Sequence, residues 1–334
     1  MTEAPSPAPP SEPPVPVVPV VSVLVVSYNT RAMTLACLRS LSEETRVPHE
    51  VIVLDNASQD GSAAAIAAAF PGLRLIASAE NHGFALGNNL AAREARGRYL
   101  LLLNPDTLVL DGAVDKLVAF AGKTPDAGIW GGRTLFPDGS LNPMSVFGDQ
   151  TLWSLFCRAS GLALVFRGSR RFNPEDYGGW ARDSERAVDV VQGSFLLIRR
   201  ALWQSLGGFD PSFVMYGEEA DLCRRARAKG AAPRMTPEAV IVHYAGASSR
   251  LRSDKSILVL KARVTLARRH LPRWQQPAAL ALLRLWPLGR SLGGTLLGLL
   301  TGRRRGTEAA AHWRAVWRAR ADWRDGFPTL SHPR

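Results

Sequence analysis

Cysteine is scarce in this chain: 334 residues hold three, Cys37, Cys157 and Cys223. They lie far apart and form no CxxC pair, which speaks against a disulfide framework or a zinc site and fits a reducing compartment. No GxGxxG follows the first apolar strand, so the dinucleotide-binding dehydrogenase fingerprint is missing. The opening residues, Met1-Thr2-Glu3-Ala4-Pro5, carry no basic n-region, and no secretory signal is expected there. Long apolar runs are absent too. Residues 278–301 come nearest, but Arg284, Pro287 and Arg290 interrupt them, which argues against a simple membrane span.

Acidic residues are nearly absent from the last quarter. From Ala245 to Arg334 there are 18 Lys and Arg against 4 Asp and Glu, of chain totals of 41 and 29. The remainder, 23 basic and 25 acidic, is close to neutral, so the net charge of +12 resides in the tail. Such a tail implies a polyanionic partner. Trp313 and Trp317 fall at i and i+4, with Arg314, Arg318 and Arg320 mostly on other faces. Trp beside Arg on an amphipathic helix suits an anionic membrane surface rather than nucleic acid. The expectation is a protein held peripherally on the inner, cytoplasmic face of the cell membrane. The alternative is that these helices pack against the rest of the protein.

What is present has a clear order. Residues 1–19 are rich in Pro and read as a disordered leader. The folded part begins at about residue 20, and a basic amphipathic helical tail is expected over residues 251–334. From residue 20 onward, short apolar strands alternate with helical patterns, with short connections. This predicts an α/β fold: a Rossmann-like, mostly parallel sheet, helices on both faces, and a helical basic C-terminal extension. Residues 134–188 are irregular and rich in aromatics, the mark of a functional loop region or small insertion.

Several strands end in polar residues. The first ends in Ser27-Tyr28-Asn29 and the second in Asp55-Asn56. The run Leu100 to Leu103 ends in Asn104-Pro105-Asp106, and a late strand ends in His243. In a parallel sheet these ends share one edge, where open α/β folds bind ligands. Pro105 cannot continue a central strand, so the chain turns there and sets Asp106 at that edge. A carboxylate so placed suits Mg²⁺ or Mn²⁺ and, through it, a diphosphate; a strand-end turn capped by Asn104 and Asp106 is the plainer reading. Asn81 and Asn88 carry amides able to read a base or a ribose hydroxyl, and Gly83 permits a close backbone approach. Glu218, Glu219 and Asp221 open a helix, where they complement its dipole or supply a general base. Asp221 and Arg225, at i and i+4, can simply pair.

In this order, Ser27-Tyr28-Asn29, Asp55 to Ser62, Asn81 to Ala85, Asn104-Pro105-Asp106, Gly193-Ser194-Phe195, Tyr216 to Leu222 and His243 resemble family 2 glycosyltransferases. The bacterial rhamnosyltransferase-like members are the nearest in look, over about residues 20–250. The resemblance implies a GT-A domain, with a nucleotide-binding half at 20–125 and an acceptor-binding half at 126–250. It implies a dTDP-, UDP- or GDP-linked sugar donor, rhamnose favoured. A cell-envelope glycan or lipid-linked acceptor, a divalent cation and inversion at the anomeric carbon complete the expectation.

By resemblance, Asp55 contacts the base and Ser27, Tyr28 and Asn29 line its pocket, with Asn81, Gly83 and Asn88 alongside. Asp106 and His243 hold the metal. Asn104, which replaces the first acidic residue of the metal motif, joins Gly193, Ser194 and Asp221 on the donor and acceptor. Glu219 is the base, although it stands where many members have Asp, so Glu218 stays open as the alternative. Two rivals are a non-catalytic nucleotide-binding or membrane-scaffold protein and a nucleotidyltransferase. The latter would prefer a Gly-rich loop with Lys or Arg near the first strand, where only Arg31 stands.

Overall fold

The computed structural model describes residues 19–244, 252–301 and 304–328. The leader expected over residues 1–19 falls outside them apart from Pro19. Four parallel strands begin the sheet: β1 (Val21–Ser27), β2 (His49–Asn56), β3 (Arg74–Ser78) and β4 (Tyr99–Leu103). The short β5 (Thr107–Val109) follows directly, then β6 (Ile129–Leu135). Three two-residue strands come next: β7 (Val146–Phe147), β8 (Arg186–Ala187) and β9 (Val190–Val191). The sheet is completed by β10 (Phe195–Arg199) and β11 (Arg234–His243). The order across it is β3-β2-β1-β4-β10-β6-β11-β5, with β8 on β11, while β7 and β9 pair separately.

Not every strand is parallel. β10 runs antiparallel between β4 and β6, and β5 runs antiparallel to β11. β11 is parallel to β6, so its carboxyl end lies on the same edge as those of β1, β2 and β4. β9 and β10 are separated by Gln192 to Ser194.

The leucine run of β4 explains the two cores. Side chains alternate across a strand, so Leu101 and Leu103 enter one apolar cluster and Leu100 and Leu102 the other. On the first face pack α1 (Arg31–Glu44), α2 (Ser62–Ala69) and α4 (Ala113–Lys123), through residues such as Leu38, Ile66 and Leu117. Between these in sequence, α3 (Gly83–Arg93) covers the other face. The aromatic segment, expected as irregular, holds α5 (Leu152–Ser160) and α6 (Leu162–Val165). Then α7 (Arg200–Leu206) and α8 (Glu218–Ala228) join α3 on the second face, through Trp203 and Leu222.

The tail forms α9 (Arg252–His270), α10 (Gln276–Thr301), α11 (Arg304–Arg318) and α12 (Arg320–Trp323). Part of its apolar surface is turned inward. Leu155 of α5, Leu260 of α9, Leu283 of α10 and Val316 of α11 share a third core cluster. Trp313 packs at a tilt against Trp286, ring centroids 5.7 Å apart, and Trp323 is fully buried. The packing alternative for the tail is thus what the described residues display. No helix among them is long and apolar enough to cross a membrane.

Candidate active site

The carboxyl edge of the sheet opens into a cavity of about 340 Å³. Strand register builds its floor. Ser27 is level with Asp55 on β2, and Leu103 is level with Phe195 on β10. The amide of Asn104 donates to Ser194 O (3.1 Å), which carries β4 past its last apolar residue. Beyond the turn, Thr107 of β5 is level with His243 of β11, and Tyr244 N donates to Asp106 O (3.0 Å). Asp106 and His243 meet for that reason: His243 Nε2 lies 3.1 Å from Asp106 Oδ1, both side chains buried. His243 Nδ1 and Asn104 Oδ1 are buried without a partner.

The opposite wall is the start of α8. Gly217 is its N-cap with φ +89°, and Tyr216 before it is also left-handed at φ +69°. Two such residues in succession turn the chain sharply into the helix, at a cost in backbone energy for the tyrosine. They set Glu218 and Glu219 on the cavity wall. Both carry an Oε2 with no partner. Burial pushes the Glu218 carboxyl well above its usual range, and repulsion from Glu219 pushes it further; burial also raises Glu219. Perturbed carboxyls in a cleft mark candidate proton-transfer groups.

A stability prediction follows for Glu218. A carboxyl whose folded-state value is raised is protonated in both states well below 4.5; above 4.5 the unfolded chain ionises first, so the group disfavours folding as pH rises. Glu218→Gln should therefore melt higher than the parent at pH 8, with the difference vanishing near pH 4. Calorimetric melts at the two pH values check this.

A third group of residues lines the cavity near β1 and β2: Tyr28, Asn56, Asn81, Gly83 and Phe84. Asn56 organises the loop, donating from Nδ2 to Asn81 Oδ1 (2.9 Å) and accepting from His82 N (2.7 Å). Gly83 has φ +72°, and a Cβ there would lie 2.8 Å from Val214 O, so only glycine fits. Gly193 and Ser194 also line the cavity, and a Cβ at Gly193 would press on the Phe84 ring at 3.1 Å.

Other candidate residues face elsewhere. Ser27 is buried, its hydroxyl hydrogen-bonded with Thr34 (2.9 Å). Asn29 is exposed and clamps the neighbouring loop, donating from its amide to Ser58 Oγ (2.9 Å). Asp55 accepts from Ser58 N (3.1 Å), but its buried Oδ1 is unpartnered. Asn88 turns inside α3 and donates to Phe84 O (2.9 Å). Asp221 corrects an expectation most directly. It is buried, takes Arg225 Nε at 2.7 Å on one oxygen, and has His270 Nε2 at 2.8 Å on the other. Both oxygens are engaged within the protein, and Asp221 is not among the residues that line the cavity.

Lys255 of α9 lines the cavity too, as do Met215 and Gln192. Sequence reasoning passed over them. Lys255 is one of 18 basic residues in the tail, and nothing in its spacing sets it apart.

A metal can be tested against this geometry. Among the described residues no cluster of three or more His, Cys, Asp and Glu could cage one. Mg²⁺ and Mn²⁺ sites need less, since one or two protein ligands plus substrate phosphates suffice. Asp106, His243 and the orphaned Asn104 oxygen fit that kind of shared site.

Residues 22–206 match the family described as Glycosyl transferase family 2. The chain belongs to that family. It is a glycosyltransferase of the hexosyltransferase class, rhamnosyltransferase-like in sequence. The N-acetylglucosaminyl-diphospho-decaprenol L-rhamnosyltransferase of Mycobacterium tuberculosis is 29% identical over 276 residues, covering 76% of this glycosyltransferase and 86% of its own length. The O-antigen biosynthesis protein RfbC of Myxococcus xanthus is 30% identical over 238 residues, or 68% of this chain and 17% of its own. In structure, a mannosyltransferase from Pyrobaculum calidifontis, solved in complex with GDP-Man and Mn²⁺, superposes with a TM-score of 0.56. It is 19% identical and covers 92% of this chain and 88% of its own. The fold is GT-A.

Proposed function

We propose that this glycosyltransferase moves rhamnose from a nucleotide-linked donor to a hydroxyl of a lipid-linked or cell-envelope glycan acceptor, inverting the anomeric carbon. One observation carries the reading: the Asp106–His243 pair and the Glu218–Glu219 pair face a single cavity. The rhamnosyl donor and a diphosphate-bearing lipid acceptor are taken from the name of the mycobacterial relative. Such an acceptor places the protein peripherally on the cytoplasmic face of the membrane.

Donor binding uses the β1–β2 end of the cleft. Asp55, whose buried Oδ1 has no partner, is the residue assigned to the base, and Tyr28, Asn81 and Gly83 line that end of the cavity. Asp106 and His243 would hold a divalent cation, which when bound would offset negative charge on the departing diphosphate. Among the described residues Lys255 is the one Lys or Arg on the cavity wall and adds a second positive charge.

Glu219 accepts the acceptor's hydroxyl proton while the oxygen forms its bond to the anomeric carbon. The nucleoside diphosphate leaves from the opposite face with its bonding electron pair. One displacement inverts the configuration, and a nucleotide leaving group needs no general acid, unlike hydrolysis by two carboxylates.

The test is release of nucleoside diphosphate from dTDP-, UDP- and GDP-sugars with Mg²⁺ or Mn²⁺, followed by NMR of the transferred sugar. Turnover of dTDP-rhamnose with inversion is expected; retention, or no turnover of any donor, overturns the reading. Changing even the residues that only orient metal ligands costs roughly 10–100-fold. Asp106→Asn should therefore raise half-saturating Mn²⁺ by at least about tenfold in a metal titration of turnover.

A further inference from the structure

The aromatic segment and the tail together present an apolar, arginine-rimmed surface that the proposed chemistry does not use. Aromatic rings form a row along it: Phe156 stacks on Trp153 at 5.5 Å, Trp153 contacts Phe172 at 6.2 Å, and Phe172 contacts Phe166 at 5.0 Å. Trp153 Nε1 donates to Arg171 O (2.6 Å), which fixes the ring while leaving it exposed. At the tip, Val165 of α6 is 74% exposed.

α10 extends the same surface. Leu285, Leu292 and Leu296 stand at i, i+7 and i+11, one face of the helix, and all three are exposed. Gly289 lies on that face, and a Cβ there would sit 3.7 Å from Ala159 O, so the stripe runs beside α5. Between α5 and α10 lies an apolar groove of about 760 Å³, walled by Leu152, Trp153, Phe156, Ala278, Ala281 and Leu282.

Charge selects the occupant. Arg167, Arg170 and Arg171 are exposed in the loop after α6, and the Arg171 guanidinium lies 5.7 Å from the Phe172 ring. The carboxylates that follow are already paired, Glu175 with Arg158 and Arg263, and Asp176 with Arg182. The surface is therefore apolar with a positive rim. Exposed patches of this kind mark contact sites, and Trp and Phe with Arg match the headgroup region of an anionic bilayer.

We propose that this α5–α6 and α10 surface docks the protein on an anionic lipid bilayer. It replaces Trp313 and Trp317 of the tail as the contact. Trp313 is packed on Trp286, and the apolar side of α11 faces the third core. The idea rests on the proposed lipid-linked acceptor only for its purpose, since docking is measured with neither donor nor acceptor.

The experiment is cosedimentation of the full chain with phosphatidylcholine vesicles, with and without phosphatidylglycerol. Each arginine near an anionic surface contributes about fivefold in affinity. The triple variant Arg167→Gln, Arg170→Gln, Arg171→Gln should bind phosphatidylglycerol vesicles roughly 100-fold more weakly. The double variant Val165→Asp, Phe166→Asp should lose at least about tenfold. Both should keep the parent melting temperature and nucleoside diphosphate release from soluble donor. Trp317→Ala should bind like the parent. Equal binding with and without phosphatidylglycerol, parent-like binding by both patch variants, or a larger loss in Trp317→Ala overturns the proposal. Vesicle binding by a protein that turns over no donor would overturn the proposed function and leave the docking surface standing.

Discussion

Glu219→Gln should lower kcat by roughly 10²–10⁴-fold, the usual contribution of a positioned proton acceptor. Gln keeps the size and shape of the side chain and removes only the carboxylate. The donor's diphosphate end is assigned to Asp106 and His243 on the facing wall, so the donor KM should hardly move. Steady-state rates with donor and acceptor varied separately distinguish the two effects.

The pH profile adds a readout that a structural role would not move. Burial raises the Glu219 carboxyl above its ordinary 4.5. The base is lost by protonation, so the parent's kcat should fall with falling pH, beginning above pH 4.5. Glu218→Gln should leave most of the rate, because Glu218 is the carboxyl more strongly held in its protonated form. If Glu218→Gln abolishes turnover and Glu219→Gln does not, the base is Glu218.

The second large effect concerns stability. Glu175 is buried in the loop between α6 and β8. Its Oε2 accepts from Arg158 Nε at 2.7 Å and Arg263 Nη2 at 2.6 Å, and Oε1 accepts from Arg263 Nη1 at 3.2 Å. Trp286 lies beneath both guanidinium groups, at 5.8 and 5.4 Å. One carboxylate thus ties α5, α9 and α10 to the loop that carries it.

Removing one member of a buried ion pair leaves its partner charged and desolvated, which costs about 3–5 kcal/mol. Glu175→Ala should lower the unfolding free energy by that amount, read as a shift in denaturant midpoint at unchanged slope. Burial alone would raise this carboxyl, but Arg158 and Arg263 outweigh it and hold it at about 2. Its contribution is therefore present above pH 4.5 and is lost as pH falls towards 2. In Glu175→Gln the acid dependence should flatten over that window. A parent-like midpoint in Glu175→Ala would refute the clasp.

Much of the fold was legible because it depends on short-range patterning. The leucines of β4 had to be buried on both faces, and Pro105 had to end the strand. Once the strands run one way, their polar ends share an edge. That logic sets Asp106 and His243 on one edge, and the family resemblance pairs them. β5 and the register of β11 account for it in space, across 137 residues of sequence.

Other residues looked alike in sequence and were separated only by packing. Asp221 and Glu218 stand three positions apart on one helix. The first meets Arg225 and His270, while the second faces the cavity without a partner for one oxygen. Arg225 at i+4 gives Asp221 a local partner, but the second contact comes from His270 on a different helix, which only packing brings there.

The tail shows the same limit. The spacing of Trp313 and Val316 declares that α11 has an apolar face, and a bilayer or a protein core would satisfy it equally well. Only the placement of Leu155, Leu283 and Trp286 opposite that face decides for the core. By itself, then, the amino-acid sequence determined the parallel strands that begin the sheet, the edge on which their polar ends gather, and the family. Tertiary structure decided which carboxylates stay unpaired, which apolar face remains outside, and that Lys255 reaches the cleft. Those outcomes depend on contacts between segments far apart in the chain, to which periodicity and local propensity are blind.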